Sequence, residues 1–285
     1  MKDDADKLLD KVRRSNASAF TIVETAIDNI IALAERGHLE KEDWTDLALN
    51  LSCAKGRMAP LFNISNLIFL NLDNSNFNES ILRTMRSIQK ERNNSLQTIA
   101  DRFVETYRPK KVMVNSYSAT VLSCLTLLSK KVDLSVTVAE SLPMGEGEMF
   151  AETLAQHGID SEIIHDSMVF EWMKKVEMYL SGADAVLPDK VYNKMGSRSI
   201  AVAAKIEGKK TVVVSDSLKL CPLEVGDRTL RETPIMPKLK RSSELFESFD
   251  VKAVESFITE KGVFTSDDLY QQFRSFRISP LLKNK

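Results

Sequence analysis

Gly182-Ala183-Asp184 is followed, after a short stretch, by Asn193-Lys194-Met195-Gly196, just ahead of the apolar run Ile200-Ala201-Val202-Ala203-Ala204. An acid, an amide, a cation and a glycine in that order suit a phosphorylated ligand. Lys194 offers a point charge and Asn193 a neutral donor, while the backbone N–H groups near Gly196 and the following helix start offer an anion site. Each has a plainer reading: a lysine in a strand-to-helix loop is often a solvated surface group, and Asp184 could simply orient the Asn193 loop.

Such residues act together only if the fold gathers them. From Pro109 onward, strand-like runs alternate with helix-like ones: Lys111–Val114, Leu134–Val138, Ser161–Ile164, Ala183–Leu187 and Thr211–Val214, separated by helices over Ala119–Leu128, Met149–Gln156, Val169–Val176 and Ile200–Ile206. That rhythm predicts a parallel sheet covered on both faces. Right-handed crossovers then bring all five strand ends to one edge, where ligands of open α/β sheets sit. The residues past those ends are Asn115-Ser116-Tyr117-Ser118, Glu140-Ser141-Leu142-Pro143, His165-Asp166, the Asp184 loop and Ser215-Asp216-Ser217. Asp166 reads as the N-cap of the next helix, and His157 and His165 as structural residues with no carboxylate pattern around them.

Before Pro109 the spacing is helical throughout. Ile22, Val23, Ala26, Ile27, Ile30, Ile31 and Ala34 recur at three- and four-residue steps up to Gly37, a C-cap candidate. Further helices are expected around Trp44–Leu51 and after Pro60, then one long helix from Glu79 to Tyr107 with an interruption at Asn93-Asn94. The expected fold class is α/β, with an all-helical domain over 1–109 followed by a Rossmann-like parallel-sheet domain over 110–285. The loop Glu224 to Ser243, rich in charge and proline, reads as a pocket flap, an interface arm or a mobile excursion.

Composition narrows the function classes. The chain has 285 residues, 43% hydrophobic and 28% charged, with a formal net charge of −1. That balance is ordinary for a globular protein and provides no field to draw in nucleic acid or anionic membrane. The basic stretch Lys238-Leu239-Lys240-Arg241 lacks interleaved aromatics and reads as a solvated loop. Cys53, Cys124 and Cys221 are far apart, without metal-ligand spacing or a disulfide framework. They are expected to be reduced thiols of a cytoplasmic protein. Nothing reads as a signal peptide or a membrane span, and no GxGxxG, P-loop or metal triad appears, so no cofactor or metal is expected.

Several pieces together resemble one family: Met58-Ala59-Pro60-Leu61-Phe62-Asn63, Glu140-Ser141-x-Pro143 with Glu146-Gly147, Asp166-Ser167-Met168, Gly182-Ala183-Asp184, Asn193-Lys194-Met195-Gly196, Ser217-Leu218-Lys219 and the tail Phe257-Ile258-Thr259-Glu260-Lys261-Gly262-Val263. The family joins the alpha, beta and delta regulatory subunits of translation initiation factor 2B to ribose-1,5-bisphosphate isomerase and methylthioribose-1-phosphate isomerase. The resemblance implies a helical domain, a Rossmann-like domain, a sugar-phosphate pocket at the switch point and dimers formed through the C-terminal part. It also implies catalysis, in the isomerase branches, by a cysteine after the first strand and by the aspartate of Gly-Ala-Asp, here Asp184. Arg57, with Gly56 beside it, is either a phosphate contact from the helical part or a surface residue ahead of Pro60.

Two departures bear on chemistry. The cysteine position reads as Ser116, a far weaker acid than a thiol, and the neighbouring histidine position as Asn115, a candidate ligand contact that leaves no evident base. Leu142 stands where the isomerases usually carry an arginine, removing a bidentate phosphate clamp. The expectation is a regulatory-subunit-like protein that binds a sugar phosphate or nucleotide without turnover, as a homodimer or in larger assemblies with related subunits. The alternative is an aldose–ketose isomerase in which Asp184 is central and Ser116 or another group does the thiol's work.

Overall fold

A computed structural model describes residues 2–15, 18–37, 39–55, 58–224 and 230–283. Gly56 and Arg57 therefore lie outside the described residues. Six helices come first: α1 (Lys2–Arg14), α2 (Ala19–Arg36), α3 (Lys41–Ser52), α4 (Ala59–Asn71), α5 (Phe77–Asn93) and α6 (Ser95–Thr106). Gly37 ends α2 in the left-handed region, φ 62°, and its N–H returns to Ala34 O, the cap its missing Cβ permits. Pro60 sits in the first turn of α4. The expected long helix breaks at Asn94, which ends α5 and opens α6.

The alternating part follows as β1 (Lys111–Asn115), α7 (Ala119–Ser129), β2 (Ser135–Ala139), α8 (Glu146–Gln156), β3 (Asp160–Ile164), α9 (Val169–Met173), β4 (Met178–Ser181), β5 (Ala185–Val186), β6 (Lys190–Lys194), α10 (Ser197–Ile206) and β7 (Lys210–Val214). The chain closes with β8 (Arg231–Met236), β9 (Leu239–Ser243), β10 (Phe246–Asp250), β11 (Ser256–Thr259), β12 (Gly262–Phe264), α11 (Ser266–Arg274) and α12 (Pro280–Lys283). The main sheet has seven strands in the order β12-β11-β7-β4-β1-β2-β3, parallel except for β12. Apart from that antiparallel edge it follows the doubly wound pattern, in which the strand order reverses between β1 and β4.

One strand assignment needs correction. Ala183–Leu187 was expected to supply the fourth parallel strand, but β4 does so, and Ala185–Val186 pairs instead with β6 in a three-stranded antiparallel sheet, β10-β6-β5. A short apolar run tells that a segment is buried, not which sheet receives it. Asn193 and Lys194 consequently end strand β6 rather than lying in a loop. The charged stretch after Glu224 holds the β8–β9 hairpin, whose strand residues are exposed except for half-buried Ser243.

The core does not divide at Pro109. Ile99, Ala100, Phe103 and Val104 of α6 pack with Val112, Val114, Val136 and Val138 of the sheet. The first five helices share a core with Ala185, Leu187, Tyr192 and Cys221. Helix α4 is buried almost all round, and Asn63 on it donates through Nδ2 to Leu218 O (2.6 Å) and Leu220 O (2.8 Å). The helical layer thereby grips the loop that follows β7.

Helix α8 meets the end of β2 at Gly147, where an added Cβ would stand 2.0 Å from Ala139 O. No flexible side chain can yield there, because the obstacle is backbone. Gly147→Ala is expected to cost about 2 kcal/mol, within the usual range for overpacking, read as a lower midpoint in urea unfolding.

Candidate functional site

The residues past β1, β2, β4 and β7 meet at the switch point, and the bonds beneath them explain why. Asn115, the last residue of β1, donates through Nδ2 to Ser197 Oγ (3.0 Å) and accepts from Tyr179 Oη (2.7 Å). Asn193 donates through Nδ2 to Ser181 Oγ and to Ser197 Oγ, both at 3.0 Å. Ser197 Oγ donates to Lys194 O (2.7 Å), and Ser181 Oγ to Gly182 O (2.8 Å). All five side chains are buried, and burial pushes the Tyr179 phenol up to about 12. This neutral network ties β1, β4, β6 and α10 together. Asn115 and Asn193 are thus committed to holding Lys194 and Gly182 in place.

Above the network lie the charges. Lys194 is buried, forms an ion pair with Glu146 Oε1 at the start of α8, and has its ammonium 5.4 Å from the centre of the Phe246 ring. Glu146 Oε2 is buried and has no hydrogen-bond partner. Asp184 feels Lys219, Lys194 and Glu146 together: burial raises its carboxyl above the ordinary range, the two lysines pull it down, and Glu146 pushes it up. Lys219, also buried, comes from the short 3-10 turn Ser217–Lys219 after β7. Asp184, Lys194, Glu146 and Lys219 form one group of two carboxylates and two ammonium ions. Glu146 and Lys219 were not singled out as site residues in the sequence. Their signal was position, since each begins or ends the turn just past a strand end.

Two turns shape the rim, and both hold a non-glycine residue at positive φ, Ser116 at 59° and Ser141 at 62°. Such backbone is strained for these residue types and collects at functional sites. Ser116 N donates to Ser141 Oγ (2.7 Å). Asp166 accepts from Ser141 N (2.9 Å) and Leu142 N (2.8 Å), so it fixes the β2 turn instead of capping a helix as expected. His165 also departs from expectation, with Nδ1 2.9 Å from Glu140 Oε2.

The anion site expected near Gly196 is taken by the chain itself. Gly196, at φ 97°, precedes α10, and Glu247 Oε1 of β10 accepts from Gly196 N (2.6 Å) and Arg198 N (3.1 Å). The physical reason is that β10 pairs with β6, which brings a carboxylate onto the amides that a phosphate would seek.

No thiol serves this edge. Cys124 is buried in α7, and burial drives its thiol far above the usual range. Cys221 is buried too, raised to about 11, with Sγ donating to Leu223 O (3.2 Å). Cys53, in the helical layer, is exposed. Among the described residues no group of three or more His, Cys, Asp or Glu is placed to hold a metal ion, and no helix is long and apolar enough to cross a membrane.

A doubly wound sheet with an acid and two lysines gathered at its switch point, covered by a helical layer, defines an α/β protein with a Rossmann-like sheet. Residues 12–266 match the model of the initiation factor 2 subunit family, and the chain belongs to that family. It is 27% identical over 173 residues to ribose 1,5-bisphosphate isomerase of Haloferax volcanii, covering 55% of this chain and 54% of that one. It is 31% identical over 134 residues to translation initiation factor eIF2B subunit beta of Dictyostelium discoideum, covering 46% of this chain and 34% of that one. The chain thus spans about half the length of the first relative and a third of the second. Its backbone superposes on the crystal structure of Pyrococcus horikoshii translation initiation factor eIF-2B with a TM-score of 0.80, at 21% identity, covering 92% of this chain and 96% of that one. The family therefore holds both regulatory subunits and isomerases.

Because Asp184 is raised in the folded protein, it binds its proton more tightly there than in the unfolded chain. The folded state gains from this below the unfolded aspartate value, about 3.9, and loses the gain as pH rises through the folded value. Asp184→Asn, which mimics the protonated form, is expected to stabilise the protein at pH 7 and to lose that advantage near pH 3.5, measured by urea unfolding at both.

Proposed function

We propose that this chain is a binding and assembly protein of the regulatory-subunit kind, whose switch-point site holds a sugar phosphate without converting it. The observation that carries the reading is the pairing of a retained acid and two lysines with a missing nucleophile and a missing arginine clamp. Lys194 and Lys219 supply ammonium groups for a phosphate, and the unpartnered Glu146 Oε2 supplies a buried acceptor for a sugar hydroxyl. At the end of β1, where isomerisation would need a thiol, stands Ser116, and the buried cysteines are held as thiols.

Turnover needs a group able to give and take a proton opposite the acid. Asp184, with its carboxyl raised by burial, is suited to that role on one side. Ser116 is not suited to it on the other, because a hydroxyl needs an adjacent base and the neighbouring Asn115 amide is spent on Tyr179 and Ser197. The isomerase reading is favoured by the match to the Haloferax volcanii enzyme and by Asp184. In the regulatory reading the same acid positions the lysines and the ligand. Homodimers, joined to related subunits in larger assemblies, belong to this proposal, as does a cytoplasmic setting. A nucleotide would enter by the same phosphate contacts.

Calorimetric titration with ribose 1,5-bisphosphate and with adenosine monophosphate tests the binding. Lys194→Ala and Lys219→Ala are each expected to weaken it about tenfold or more, since a hydrogen bond to a charged group contributes about 1.5–3 kcal/mol. Incubation with ribose 1,5-bisphosphate, followed by 13C NMR, is expected to show no ketose. Ketose formation abolished by Asp184→Asn would replace this reading with the isomerase one. The double variant Ser116→Cys with Leu142→Arg is expected to gain measurable isomerisation.

A further inference from the structure

Charge is unevenly placed along this chain. Between Val132 and Met173 there are nine Asp and Glu residues and no Lys or Arg, although the net charge of the whole is only −1. That stretch supplies β2 and β3, which end the main sheet on one side, together with α8 and α9. On α8 and the turn before it the acids sit among apolar side chains that nothing covers. Glu148 and Glu152 are exposed, and Leu142, Met144 and Met149 are each more than half exposed. Neighbouring exposed apolar side chains with a charged rim mark a protein–protein contact rather than a solvated surface.

The opposite charge sits on the β8–β9 hairpin, a two-stranded sheet of its own. Its register sorts its side chains onto two faces. Glu232 and Lys240 meet on one of them, 2.6 Å apart. Met236 stands opposite Leu239, Thr233 opposite Arg241 and Arg231 opposite Ser243. Because Leu239, Arg241 and Ser243 alternate along β9, the other face presents Met236 and Leu239 at the tip with Arg241 and Arg231 behind them. All four are exposed. A lone two-stranded hairpin is at best marginally stable in water, so a cover for this face would strengthen the arm as well as the contact.

The two surfaces lie beside one another. Met195 N donates to Leu245 O (2.9 Å), just after β9, and the adjoining Lys194 pairs with Glu146 at the start of α8. The arm and the α8 face therefore flank the same sheet edge. A nucleic acid drawn to the arm would be repelled by the face, and a purely basic protein drawn to the face would be repelled by the arm. A second copy of this chain carries the complement of both, and a two-fold axis uses the same pair of patches twice.

We propose that a second copy covers the α8 face. The hairpin of each copy seats Met236 and Leu239 against Met144 and Met149 of the other, while Arg231 and Arg241 meet Glu148 and Glu152. The proposal rests on the homodimer part of the function proposed above, and gives it its surfaces; ligand binding is not needed for it. Leu142 and Met144 follow Ser141, whose hydroxyl accepts from Ser116 N, so the arm of one copy lies across the rim of the switch point of the other.

Sedimentation velocity on the full chain over a range of concentrations tests it. The parent is expected to be a dimer. Glu148→Lys with Glu152→Lys, and separately Arg231→Glu with Arg241→Glu, are each expected to raise the dimer Kd at least tenfold, since like charges then face each other at both contacts. An equimolar mixture of the two variants is expected to associate within threefold of the parent, because every arm again meets a face of opposite sign. Circular dichroism checks that each variant is folded; should the lysine pair fail to fold, Glu148→Gln with Glu152→Gln is expected to weaken the parent dimer at least threefold. A parent that is monomeric at every concentration overturns both this proposal and the homodimer reading. A dimeric parent whose variants associate as tightly as it does, or whose variants do not recover on mixing, overturns this proposal alone. Sugar phosphate binding is read separately by calorimetry, so its failure leaves this result standing.

Discussion

Everything at the switch point rests on a buried, uncharged hydrogen-bond network. Asn115, Tyr179, Ser181, Asn193 and Ser197 come from three strands and a helix, and their hydroxyls and amides satisfy one another. A partly satisfied network of this kind would be a liability in a low-dielectric interior, whereas a satisfied one fixes a single arrangement. Fixed in this way, the strand ends can hold two carboxylates and two lysines in close quarters without the site relaxing into a looser set of surface ion pairs. Their mutual attraction offsets part of the cost of burying those charges, and at Asp184 burial still outweighs the pull of the two lysines.

That layering clarifies which polar residues do what. The amides that look like ligand contacts in the sequence, Asn193 and Asn115, are the foundation. The charged group above it is Lys194, Lys219, Glu146 and Asp184, each at or just past a strand end or at a helix start. Glu247 provides the contrast. By occupying the amides of Gly196 and Arg198, it fills with a carboxylate the anion position that backbone geometry alone would offer.

The sequence made the fold legible where its signals were local. Gly37 stopped a helix, Asn94 interrupted one, and the Val-rich runs of β1, β2 and β7 announced strands buried on both faces. It was less informative where partnership decided the outcome. Met178–Ser181 and Ala183–Leu187 are both short and apolar, and only the three-dimensional pairing shows that the first enters the parallel sheet while Ala185–Val186 joins a small antiparallel one. The same holds at the site. Asp184 and Lys194 were visible as types in a pattern, but Glu146 became a site residue only through its ion pair, and Lys219 only through its approach to Asp184. Neither relation leaves a trace in spacing along the chain.

The outer strand β3 has a further effect. Its unpaired side is an open row of backbone donors and acceptors, yet Asp160 and Glu162 stand along it, and Glu162 is also bonded to Thr137 and Trp172. A neighbouring strand approaching this margin would have to bury negative charge against its own carbonyls. Charged residues on an edge strand disfavour the addition of a further strand there.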